Sequence, residues 1–129
     1  MTLAEGLILV AVLLPYVWVI VAKAIGRREG RFHNARPREY LGGATGMAAR
    51  ANWAHLNAFE AFAPFAAAVL VAEKAGVAQD RVDLLAIVFI VARILHGVCY
   101  LTDKATLRSA VWAVGFLSVI ALFVSAALV

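Results

Sequence analysis

The chain has 129 residues, 64% of them hydrophobic and only 16% charged, with a mean hydropathy of +0.89. That balance excludes an ordinary soluble domain and leaves an integral membrane protein, expected to form a single domain over residues 1–129 because no repeat or low-complexity tract divides it. The formal charge of +4 does not point to nucleic acid, since the basic residues crowd into one loop between apolar runs instead of forming an aromatic-interleaved patch.

The first predicted span is Leu3–Ile25, longer than the roughly 20 residues a bilayer needs. Glu5 stands ahead of its apolar run and Lys23 with the arginines after it, the reverse of a cleaved secretory signal, so it is expected to be retained. Pro15 is a candidate kink, and Tyr16 and Trp18 lie too near the middle to be interfacial, which predicts packing against other helices.

Gly26–Gly43 is expected to be a loop, because Pro37 and the closing glycines rule out a continuous helix. Its arginines at 27, 28, 31, 36 and 38 read as a topology signal, or as groups reaching over an anionic ligand or lipid headgroup.

The second span, residues 44–72, places Arg50, Trp53, Asn57, Glu60 and Pro64 at spacings of three and four, hence on one stripe that faces protein or water and not lipid. The third, residues 82–101, repeats the spacing with Arg93, His96 and Tyr100. A tight turn leads to the fourth, residues 107–129, opened by Arg108 and Ser109.

Counting Lys and Arg beside each span puts the loop 26–43 in the cytoplasm and both termini outside it. The polar residues then gather in the cytoplasmic half of a bundle. Glu60 is expected to pair with Arg93, leaving positive charge from Arg50 and Arg108 for an anionic hydrophilic ligand.

Each residue also has a plainer role. The Glu60–Arg93 pair can simply fix helix register, Asn57 can be an interhelical clamp, His96 a buried interface histidine, Tyr100 a belt residue and Arg108 a snorkelling one. Against this, a guanidinium beside a helix N-terminus holds an anion and would stabilise a thiolate, to which Ser109 can donate a hydrogen bond. Three scattered histidines (His33, His55, His96) and the lone Cys99 give no metal-ligand spacing, so no metal site is expected.

Taken in order, Arg50-x6-Asn57-x2-Glu60-x3-Pro64, Arg93-x2-His96-x3-Tyr100 and Arg108-Ser109 resemble the MAPEG family, the membrane-associated proteins in eicosanoid and glutathione metabolism, and its small bacterial members in particular. The resemblance implies an all-α fold, a four-helix transmembrane bundle assembled as a homotrimer, placed for a bacterial member in the inner membrane. It implies glutathione as co-substrate, held by Asn57, Glu60, Arg93, His96 and Tyr100, with Arg108 on its thiolate and Ser109 beside it. Arg27, Arg28 and Arg50 are further candidates for the carboxylates, because Trp53 and Leu56 stand where characterised synthases carry arginines.

The activity implied is transferase or peroxidase chemistry on a lipophilic electrophile or hydroperoxide arriving from membrane lipids. The alternative is a non-catalytic lipid-binding or scaffold member of the same family. A lesser one is a four-span subunit of a larger complex.

Overall fold

The computed structural model describes residues 1–129, which form five helices: α1 (Leu3–Arg28), α2 (Pro37–Gly43), α3 (Gly46–Ala75), α4 (Gln79–Leu101) and α5 (Ala105–Ala127). All but α2 are long and apolar enough to cross a membrane, so the chain is an integral membrane protein. The expected spans are all present, with shifted ends. α1 runs a turn beyond Ile25 because the backbone stays helical through Arg28, and α5 begins at Ala105, two residues ahead of the predicted start.

Punctuation in the sequence explains these ends. Thr2 and Glu5 close a capping box at the start of α1, Thr2 Oγ1 accepting from the Glu5 amide and the Thr2 amide donating to the Glu5 carboxylate. α3 stops at Gly76, whose φ of 85° is the left-handed conformation glycine adopts without strain; the Val77 amide then reaches back to the Ala72 carbonyl. The loop 26–43 is not wholly irregular: Pro37 starts the short α2 at the first helical position, where its missing N–H costs nothing.

The long helices run up, down, up and down. The start of α1, the end of α3 and the start of α4 share one end, where Thr2 donates to Glu73 (2.6 Å), the Ala4 amide donates to Asp83 (3.0 Å), and Gln79 donates to both carboxylates (3.1 and 2.9 Å). The other end, called here the basic end, gathers the end of α1, α2, the start of α3 and the α4–α5 turn. α3 and α4 are central; α1 packs on both, α5 packs on both from the other side, and α1 and α5 do not meet.

Small residues let these helices approach, the usual device where lipid removes the hydrophobic drive for helix association. Ala4, Ala11, Ala68, Ala72 and Ala86 surround the Phe65–Phe89 stack, whose centroids are 4.0 Å apart. Nearer the basic end, Trp18 packs with Leu14, Ala54 and Ala58 and lies against Gly97; a Cβ there would overlap the indole. Trp18 thus packs inside as expected, whereas Tyr16 stays half exposed with its edge against Phe59.

α1 continues through Pro15 as one helix, and His55 of α3 donates from Nδ1 to the Pro15 carbonyl (2.8 Å), clipping the two helices at mid-span. Leu9, Leu13, Val17 and Ile20 of α1 and Leu117, Ile120 and Val124 of α5 point outward, an apolar surface suited to lipid or to another subunit.

Candidate functional site

A cleft of about 260 Å³ opens between α3, α4 and α5. Its floor is polar, made by Asn57 and Glu60 of α3 and Arg93 of α4; its wall is apolar, made by Ala61, Pro64, Phe89, Trp112, Phe116 and Val119. Helical spacing explains the grouping. Residues 57, 60, 61 and 64 share a face of α3, 89 and 93 a face of α4, and 112, 116 and 119 a face of α5.

Arg93 dominates the floor. It is only 4% exposed, its Nη2 donates to Asn57 Oδ1 at 2.6 Å, and its Nε has no partner. Asn57 in turn donates from Nδ2 to Glu60 Oε2 at 3.1 Å. The expected direct pair of Glu60 and Arg93 is therefore corrected: the salt bridges formed lie elsewhere, and Asn57 stands between the two groups as a relay. The amide offers an acceptor to the cation and a donor to the carboxylate, linking the two without direct contact. A guanidinium stays charged and has five N–H groups, so a buried one with an orphan N–H holds open an acceptor position. Inside a membrane an under-compensated cation is costly and marks a binding site more often than a packing accident.

One to two turns toward the basic end lies a second group. His96 is buried and meets the edge of Tyr100 with centroids 5.1 Å apart; the Arg108 guanidinium carbon stands 4.4 Å over the Tyr100 ring; and Trp53 flanks the same ring at 6.5 Å. Arg93, His96 and Tyr100 share a face of α4, which joins the two groups into one continuous strip. Arg108 lies in the first turn of α5, one residue beyond the free amides of Ala105, Thr106 and Leu107, since its own amide already bonds to the Lys104 carbonyl at 2.9 Å. The cation and the positive end of the helix therefore coincide.

Two predicted residues are engaged elsewhere. Arg50 donates to the carbonyls of Tyr100 (2.9 Å) and Leu101 (3.4 Å), adding a side-chain cap to an end of α4 where the amides of Thr102, Asp103 and Lys104 already return to Val98, Tyr100 and Cys99. Ser109 donates its hydroxyl to the Ala105 carbonyl one turn back (3.3 Å) and is not turned toward Arg108. Sequence reasoning missed the apolar wall. Its signal was the spacing of Trp112, Phe116 and Val119, which any lipid-facing helix also shows; the Trp112–Phe116 stack, 5.2 Å between centroids, distinguishes it only in three dimensions.

Four membrane-spanning helices with a strip of arginine, histidine, tyrosine, asparagine and glutamate between them define an integral membrane protein with a polar cleft floor facing an apolar wall. The chain belongs to the MAPEG family, matching it over residues 4–128. It is therefore a membrane protein of the type that serves glutathione and eicosanoid metabolism. No curated protein and no solved structure matches it.

Proposed function

We propose that the protein is a glutathione-dependent membrane enzyme, a transferase or peroxidase acting on lipophilic electrophiles or hydroperoxides. The observation that carries the reading is the buried Arg93, held by Asn57 with an N–H left over, in a cleft whose other wall is aromatic and apolar. A peptide with carboxylate and amide groups fits the polar floor, and a membrane-borne substrate fits Phe89, Trp112 and Phe116.

In this reading Asn57, Glu60, Arg93, His96 and Tyr100 hold glutathione, which supplies the sulfur nucleophile. Arg108, stacked on Tyr100 at the start of α5, lowers the thiol pKa and keeps the thiolate populated at neutral pH. Ser109 reaches that sulfur by rotating its hydroxyl from the Ala105 carbonyl. Arg50 orders the end of α4, and with it Tyr100, as a positioning residue. The protein would assemble as the family's homotrimer. The basic end would face the cytoplasm, with both termini outside it, in a bacterial inner membrane.

Calorimetry of glutathione binding to the detergent-solubilised protein, paired with conjugation of a generic electrophile, tests this. Wild type should bind in the micromolar-to-millimolar range. Arg108→Ala should keep binding within a few fold but lose roughly 100-fold or more in turnover, the usual cost of removing a donor aimed at developing or stabilised anionic charge. Unchanged turnover in Arg108→Ala would remove the thiolate role. Absence of binding in wild type would favour the second reading, a lipid-binding or scaffold protein, which Trp53 and Leu56 support by offering apolar surface along the strip.

A further inference from the structure

The basic end carries a second cleft, of about 300 Å³, separate from the cleft between α3, α4 and α5. Its lining includes Glu29, Arg31, His33, Arg36, Glu39 and Tyr40. Two features set it apart from a generic basic loop.

The first is height. The loop does not stand away from the bundle but folds back on the end of α1. Tyr40 reaches the Ala22 carbonyl (3.5 Å) and lies over Gly26, where any Cβ would collide with its ring; Phe32 meets Tyr40 edge-on, with Lys23 and Arg27 above the Phe32 ring at 5.7 and 5.1 Å. α1 has 26 residues, so at roughly 1.5 Å per residue it outreaches a hydrocarbon core of about 30 Å by several residues. Ala22 to Gly26 accordingly sit near the edge of the hydrocarbon, and a loop clamped to them is held at headgroup level.

The second is mixed charge. Arg31, Arg36 and His33 are matched by Glu29 and Glu39, and Arg36 stands 3.7 Å from Glu39 in a solvent-exposed pair that is worth little and easily exchanged. Nearly balanced charge is a poor match for a purely anionic headgroup and a good one for a zwitterion. We infer that this cleft binds the phosphoethanolamine headgroup of a membrane phospholipid, its phosphodiester on Arg31 and Arg36 and its primary ammonium on Glu29 and Glu39. A quaternary choline has no N–H for the carboxylates and a glycerol headgroup has no cation, so the cleft discriminates among phospholipids of identical acyl chain.

The inference does not rest on the proposed glutathione chemistry. The purified full chain is delipidated in detergent, reloaded with phosphatidylethanolamine, phosphatidylcholine or phosphatidylglycerol of the same acyl composition, and the lipids retained are counted by native mass spectrometry. Phosphatidylethanolamine should be retained about tenfold more strongly than phosphatidylcholine, roughly the worth of one charge-assisted hydrogen bond. The double variant Glu29→Gln, Glu39→Gln should lose that preference while still retaining lipid, and Arg31→Gln should weaken retention of all three. Arg38→Gln, outside the cleft, should change nothing, and free phosphoethanolamine should compete poorly, since it lacks the membrane anchor. Equal retention of ethanolamine and choline lipids, or stronger retention of phosphatidylglycerol, overturns the inference. So does a preference that survives the double carboxylate variant.

Discussion

At the end of the bundle where α1 begins, Thr2, Glu73, Gln79 and Asp83 are bonded to one another or to the backbone; in the half toward the basic end Arg93 keeps an unpartnered Nε and Arg108 rests on an aromatic ring without an ion pair. Both ends join α4 to its neighbours through polar side chains, yet only one closes its hydrogen bonds on itself. A polar network whose members satisfy each other adds rigidity, whereas one held half-satisfied at a structural cost has capacity for a ligand. The contrast separates staple from candidate site without reference to any substrate.

Asn57→Leu should break that contrast most forcefully. It keeps the volume but strips Arg93 of its one hydrogen bond and Glu60 of its donor, so unfolding in detergent should become easier by ~3 kcal/mol, the cost of stranding a buried charge. Glutathione binding should fall with it. A variant as heat-stable as wild type would mean that Glu60 swings onto Arg93 directly and the relay is dispensable.

Glu73→Ala probes the opposite end and should cost less, ~1 kcal/mol, because Thr2 and Gln79 lose an acceptor but sit near solvent and keep the capping box and Asp83 respectively. Thermal denaturation should register the loss while glutathione binding is unchanged. The two sites are sixteen residues apart on one helix, so by ~1.5 Å per residue they are far enough apart for the double variant to show additive losses. Strong coupling would argue that the ends are not independent.

This division was only half legible in the sequence. The spans were, because length and apolarity answer directly to the thickness of a bilayer, and so was the strip on α4, because Arg93, His96 and Tyr100 obey helical spacing. Pairing across helices was not: spacing says that Glu60 and Arg93 face the same interior, but not that Asn57, a turn from Glu60, fits between them. Arg50 shows the same limit. Its position on the polar stripe suggested a ligand contact, and its length lets it reach the end of α4 instead, which no pattern within α3 encodes. Gly26 and Gly97 gave no sequence signal at all, since what each admits, Tyr40 and Trp18, lies on a distant segment.

The smallest expected effect concerns Tyr40, the hinge pin of the loop at the basic end. Partial burial against α1 raises its hydroxyl pKa above the usual value near 10, Glu29 adds to the rise and Arg31 opposes it. For an acid whose folded pKa is raised, the neutral form is the one the fold favours. The associated stability is therefore fully present below about pH 10 and is lost as pH climbs through the raised folded value. Wild type should thus lose thermal stability on alkalinisation more steeply than Tyr40→Phe, which has no proton to lose, and Glu29→Gln, which removes one cause of the raised value, should make that loss smaller. Denaturation scans with parallel tyrosinate absorbance would show it. If both proteins respond alike, the loop is not pinned through the protonated hydroxyl, and the clamp at headgroup height rests on Phe32 and the fit of the Tyr40 ring over Gly26 alone.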